Sequence, residues 1–206
     1  MARGRFITME GVEGVGKSTQ LVFLREHLQA TGHEVLMTRE PGGSDLAEDV
    51  RAVLLDPRHA GMTPDAELLL VFAARADHLA RRVLPALAAG RWVVSDRFTD
   101  ATFAYQGGGR GIPPQRIEII EQWVQGSLRP DRVLLLDLPP ALGADRVAVR
   151  GTRDRFERES PDFFQRVRNA YLARASAAPQ RYRIIDASGT VDQVRARVVH
   201  AVADLL

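Results

Sequence analysis

The stretch GVEGVGKST, residues 11–19, follows the apolar run FITM at 6–9 and precedes a segment with helical spacing. Gly11, Gly16, Lys17 and Ser18 match G-x-x-x-x-G-K-[ST] in the strand-to-helix setting that this phosphate loop requires. Gly11, Gly14 and Gly16 let backbone N–H groups turn inward on an anion, and the N-terminus of the next helix adds its dipole. Lys17 is expected to reach the β- and γ-phosphates of a nucleotide, and Ser18 to ligate Mg²⁺. The basic residues point to the same loop, because Lys17 is the only lysine among 28 lysines and arginines. A compact ammonium does not exchange with a planar guanidinium where backbone wraps phosphates closely. A glycine-rich turn without a ligand is the competing reading, and the motif, its setting and the unique lysine weigh against it.

Working outward, β-branched and apolar runs at 5–9, 34–38, 92–95, 132–137 and 182–186 predict five strands. Segments with helical spacing lie between them: 18–31, 64–89, 114–125 and 140–150, each ending before a glycine. Ser160 before Pro161 starts another helix, and Thr190 with Gln193 has capping-box spacing for a last one over 191–205. Pro85 should kink or split the 64–89 segment. The alternation predicts an α/β fold, a five-stranded parallel sheet with helices on both faces, with ligands beyond the carboxyl ends of the strands.

Composition narrows the classes. The 206 residues, 45% apolar and 26% charged, suit a single soluble domain, 1–206, and no repeat or linker marks a second. With no cysteine, disulfides and thiolate metal sites are excluded. The net charge is +2 with the arginines spread along the chain, so no nucleic-acid partner is expected. No apolar run reaches membrane-spanning length, and MARGRFITME carries no signal-peptide core, so no membrane association and a cytoplasmic location are expected.

A switch GTPase needs an Asn-Lys-x-Asp guanine reader, but the one asparagine, Asn169, precedes Ala170 and Tyr171. TREPGGS at 38–44, VFAAR at 71–75 and SDRF at 95–98 bring cations, including Arg75 and Arg97, to one crevice. An anionic acceptor set against a triphosphate needs such neutralisation, and a second phosphate-bearing substrate explains them, against surface ion pairing as the alternative. Asp96 ends a strand where a carboxylate would hold the water shell of Mg²⁺, or would cap the next segment. DRVAVRGTRDRFERE at 145–159 carries Arg146, Arg150, Arg153, Arg155 and Arg158 and reads as a solvated face or as a lid closing over ATP, at about 146–160. The phosphate loop has no arginine of its own, its variable positions being Val12, Glu13, Gly14 and Val15, so the lid is expected to supply one.

Together EGVEGVGKST, TREPGGS, FAAR, SDRF, AYQGGGRG (104–111) and RGTRDRFE (150–157) resemble bacterial thymidylate kinases, in order from about residue 5 to 205. The resemblance implies a P-loop nucleoside-monophosphate kinase fold, a homodimer, and transfer from ATP to dTMP with Mg²⁺. It implies that Gly11 through Thr19 hold ATP, with Arg146 against adenine and Arg150 at the transferring phosphoryl. Glu40, Pro41 and Arg51 would line the acceptor site, Arg97 would hold the dTMP phosphate, and Arg75 would donate to a thymine carbonyl. Thr102 and Gln106 would meet the base edge, Tyr105 would crowd a ribose 2′-hydroxyl, and Glu13 would stand near the acceptor sugar or the metal. Lys17, Asp96, Arg97 and Arg150 are the expected catalytic set. One position departs from the family: Val71 stands four residues before Arg75 where a stacking phenylalanine is usual, with Phe72 one place later. Phe72 then reads equally as the stacking ring or as a core aromatic. A kinase for another nucleoside monophosphate, or a catalytically silent nucleotide-binding module, remains as the alternative.

Overall fold

The computed structural model describes residues 3–143 and 154–206. Five strands, β1 (Phe6–Glu10), β2 (Val35–Arg39), β3 (Trp92–Asp96), β4 (Arg132–Asp137) and β5 (Tyr182–Asp186), form one sheet in the order β2-β3-β1-β4-β5. Every pairing is parallel. The strands fall within a residue of their expected bounds.

Alternation along the central strands builds two cores. Ile7, Met9, Trp92 and Val94 face one side, where they meet α1 (Lys17–Ala30) and two later helices, α7 (Pro161–Ala177) and α8 (Val191–His200). Phe6 and Val93 face the other, against Leu79, Val83, Ala86 and Leu87. Residues i and i+1 of a strand point to opposite faces, so both faces require helical cover. Ser160 caps α7 through its hydroxyl, and Thr190 with Gln193 forms the expected capping box of α8.

Between β2 and β3 lie α2 (Asp45–Leu55), α3 (Pro64–His78), a π-helical stretch at 79–83 and α4 (Leu84–Ala88). The expected 64–89 helix is thus split ahead of Pro85, where the missing N–H and the ring's bulk are absorbed by a wider turn. After β3 come α5 (Thr99–Thr102), a second π-helical stretch at 103–109 and α6 (Pro114–Gln125). The last helix stops at His200 rather than 205, with a separate 3₁₀ turn at 203–205. The expected 140–150 helix is helical at 140–143, and its remainder lies outside the described residues. Among the described residues no helix is long and apolar enough to cross a membrane.

Register brings the strand ends together. Met9 of β1 and Arg39 of β2 both pair with Asp96, which sets Glu10, Glu40 and Arg97 side by side at the carboxyl edge of the sheet.

Candidate active site

The loop after β1 turns through three glycines of positive φ, and Gly16, at φ 94°, is the N-cap of α1 without any side-chain cap. A β-carbon at Gly16 would meet nothing within 4 Å, so conformation alone demands glycine there. The first N–H groups of α1 therefore remain open to an anion, and no acidic residue stands in its first turn. Lys17 folds back over the loop, its Nζ donating to the carbonyls of Gly11 at 3.0 Å and Val12 at 3.1 Å. Burial, and then the charge of Arg97, lower its pKa to about 8.

Arg97 follows β3 at φ 69°, a left-handed conformation that costs a non-glycine residue about 1–2 kcal/mol. Three bonds hold it there. Its N–H donates to Met9 O at 3.0 Å, Ser95 Oγ donates to its carbonyl at 2.7 Å, and the next N–H, of Phe98, donates to Glu10 Oε1 at 2.8 Å. The guanidinium then donates to Gly11 O (2.9 Å), Tyr171 Oη (3.1 Å) and Glu13 Oε1 (3.0 Å). Tyr171 in turn donates to Glu10 Oε2 at 2.9 Å. Burial and the nearby Asp100 raise the Glu10 pKa to about 8. No role was legible for Glu10 or Tyr171 in the sequence, because they meet only through folding, 161 positions apart.

One cavity runs from the phosphate loop to the acceptor side. Its lining includes Glu13, Gly14, Gly16, Lys17 and Ser18 at one end and Glu40, Pro41, Arg51, Arg75, Thr102, Tyr105 and Gln106 at the other, with Asp96 and Arg97 between. Tyr105 donates to both oxygens of Glu13, at 2.8 and 2.7 Å, beneath the Arg97 guanidinium. Arg51 donates to Pro41 O at 2.8 Å. Arg75 is 1% exposed: Nε donates to Glu40 Oε2 at 2.7 Å, Nη2 to Thr102 Oγ1 at 2.9 Å, and Nη1 has no partner among the described residues. His78 backs this pair, with Nδ1 2.9 Å from Glu40 Oε1 and Nε2 2.6 Å from Thr38 Oγ1.

The packing bears on two readings that the sequence left open. Phe72 belongs to a core cluster with Leu68, Phe103, Ile112 and Ile117, while Val71 lines the cavity. One step along a helix is about 100°, and that rotation turns the ring away from the site. Arg155 is no free lid cation: its side chain is buried, donating Nη1 to Glu67 at 2.6 Å and Nε to Leu54 O at 2.7 Å. This anchor carries Asp154, Phe156 and Glu157 into the cavity wall, residues of the RGTRDRFE stretch to which the sequence assigned no role. Arg146 and Arg150 lie outside the described residues.

A metal would find suitable donors here. Asp96 has a buried Oδ1 with no partner among the described residues, and Ser18 lines the same cavity. Among the described residues no cluster of three His, Cys, Asp or Glu side chains forms a protein cage. One carboxylate and one hydroxyl suit Mg²⁺, which takes its other ligands from water and phosphates.

Known proteins carry the same pattern. The family model described as thymidylate kinase matches residues 9–198. The chain is similar to thymidylate kinase of Pseudomonas syringae pv. tomato, 55% identical over 203 residues and covering 98% of this chain and 97% of that one. It is similar to thymidylate kinase of Halorhodospira halophila at 54% over 206 residues, covering 99% and 96%. Its structure is similar to the crystal structure of thymidylate kinase from Ehrlichia chaffeensis, with a TM-score of 0.80 and 30% identity, over 98% of this chain and 99% of that one. A phosphate loop, the cavity adjoining it and similarity along nearly the whole sequence agree: the chain belongs to the thymidylate kinase family.

Proposed function

We propose that this protein transfers the γ-phosphoryl group of ATP to dTMP, yielding ADP and dTDP, with Mg²⁺ held by Ser18 and Asp96. The observation that carries this reading is the single cavity joining the phosphate loop to a buried guanidinium with an unpartnered Nη1. In this reading the open N–H groups of the loop and of α1 grip the ATP phosphates, and Lys17 leaves its two carbonyls for the β- and γ-oxygens. Mg²⁺, when bound, supplies charge neutralisation between those phosphates. Arg97, fixed by Glu10, Glu13 and Tyr171, aligns the dTMP phosphate, which is already anionic and needs no general base. Arg75 and Gln106 read the base, Thr102 holds the Arg75 fork, and Tyr105 closes the sugar pocket. Glu40, Pro41 and Arg51 complete the acceptor wall. Arg150 is assigned to the transferring phosphoryl and Arg146 to adenine, in a lid at about 146–160 of a single domain.

We also propose a cytoplasmic homodimer. Leu69 of α3, with Ile119 and Trp123 of α6, exposes 58%, 72% and 85% of its surface on adjacent helices, an apolar face suited to a second copy. Sedimentation velocity should give twice the chain mass, and a monomer at all concentrations would reject it. The transfer itself is tested by ³¹P NMR of ATP, Mg²⁺, dTMP and enzyme. ADP and dTDP should appear in equal amounts, whereas ADP with free phosphate and no dTDP would refute the reading.

A further inference from the structure

Glu67 of α3 is fully buried, and phosphoryl transfer does not explain it. Its Oε1 accepts from Gln106 Nε2 at 2.8 Å and Arg110 Nε at 3.2 Å; its Oε2 faces Arg155 Nη1 at 2.6 Å and Arg110 Nη2 at 3.1 Å. A carboxylate paired with two guanidinium groups offers acceptors only, so Gln106 satisfies it in one orientation: amide nitrogen toward Glu67, amide oxygen away. That orientation follows from the partner's chemistry, independent of how two similar atoms are assigned. Gln106 lines the cavity, and among the described residues its Oε1 accepts no hydrogen bond. Arg75 lines the same cavity and keeps one buried donor, Nη1, without a partner among the described residues. This end of the cavity therefore holds one oriented acceptor and, behind its wall, one donor that still lacks a partner.

We propose that Glu67 is a specificity-determining positioning residue: by locking the Gln106 amide oxygen toward the cavity, it makes the site accept a pyrimidine with a ring N–H beside a carbonyl and reject one with a bare ring nitrogen beside an amino group. This rests on the dTMP reading above. Thymine and uracil present N3–H and O4, complementary to Gln106 Oε1 and Arg75 Nη1. Cytosine sets its N3 lone pair against Oε1 and its amino group against the guanidinium, leaving buried polar groups unpaired on both sides. Arg155, at 2.6 Å, anchors the Glu67 carboxylate, with Arg110 alongside at 3.1 Å, so the base reader is braced by the segment that brings Phe156 and Glu157 to the cavity.

In Glu67→Gln the new amide can donate to Gln106 and let it turn over. The test is kcat/KM with saturating ATP for dTMP and for dCMP in the wild type, Glu67→Gln and Arg110→Gln, with melting temperatures alongside. The ratio of dTMP to dCMP should fall by about tenfold or more in Glu67→Gln, the worth of one or two hydrogen bonds. It should stay at the wild-type value in Arg110→Gln, which loses an ion pair and stability but keeps the Gln106–Glu67 bond. A merely structural Glu67 would depress both substrates equally, and an unchanged ratio in Glu67→Gln overturns the proposal. If Glu67→Gln does not fold, Glu67→Asp keeps the charge and withdraws it from Gln106; its ratio must also fall, and an unchanged one overturns the proposal equally. A wild type inactive on dTMP overturns the thymidylate reading first, a result distinct from an unchanged ratio.

Discussion

Replacing Arg75 by methionine separates the stability of the acceptor site from its chemistry. The guanidinium holds the buried Glu40 at 2.7 Å and lies 4.8 and 5.0 Å from the ring centroids of Phe72 and Phe98. Methionine fills much of the volume, so the loss is dominated by Glu40, left 4% exposed with His78 as its remaining side-chain partner. Removing one half of a buried pair costs about 3–5 kcal/mol. In a domain of this size each kcal/mol moves the midpoint by about 2–4 °C, so the variant should melt roughly 6–20 °C lower. Adding Glu40→Gln removes the stranded charge, keeps an acceptor for His78, and should restore most of that loss. Activity should not follow. Both variants lack the Nη1 donor, and a hydrogen bond from a charged group is worth about 1.5–3 kcal/mol, so kcat/KM for dTMP should fall about 10- to 150-fold in each. Urea unfolding gives the first quantity and initial rates the second. A single variant as stable as the wild type, or a double variant with full kcat/KM, would refute the reasoning.

Three other perturbations reach different parts of the site. Lys17→Arg places a planar group where the ammonium sits 3.0 and 3.1 Å from two loop carbonyls, and kcat should drop by about 10²-fold or more; an unchanged rate would remove Lys17 from the phosphate cradle. Tyr105→Phe keeps the ring and loses the bonds to Glu13, so it should preserve discrimination against a ribosyl acceptor, whereas Tyr105→Ala should lose it; equal discrimination in all three forms excludes the steric role. Burial lifts Glu10 from 4.5 to about 8, so its contribution to stability is complete below pH 4.5 and is lost as pH rises through about 8. Glu10→Gln, neutral throughout, should flatten that fall in urea unfolding across pH 4.5–8, and a profile parallel to the wild type would contradict it.

The parallel sheet was legible because its signals are local: β-branched runs, a glycine after four of the expected helices, and one loop whose spacing admits few other readings. α2 was not foreseen. Only Ala47 and Leu54 of its eleven residues are buried, while Leu46 and Val53 face out, so its apolar stripe is narrow. The helical turns at 99–109 were hidden by Gly107, Gly108 and Gly109, which propensity assigns to a loop. Packing overrides it: a β-carbon on Gly108 would lie 2.7 Å from Ala170, and one on Gly109 2.5 Å from Phe163, so these glycines let the segment seat directly on α7. The site residues with motif signals, Lys17, Arg75 and Arg97, stood out in the sequence, but their partners did not. Glu67, His78 and Tyr171 sit on helices whose spacing explains a buried face, and their polar bonds span 39, 38 and 161 positions.

The most direct test of the central claim is the initial rate of ADP release with ATP and Mg²⁺ against dTMP, dUMP, ribosyl TMP, dCMP, AMP and GMP. The proposed reading, with Arg75 and Gln106 at the base and Tyr105 at the sugar of one cavity, requires dTMP to give the highest kcat/KM, dCMP and the purine nucleotides to be poor, and ribosyl TMP to trail dTMP. A panel led by any other monophosphate would leave the phosphate loop and the fold standing and contradict the assignment of the acceptor site.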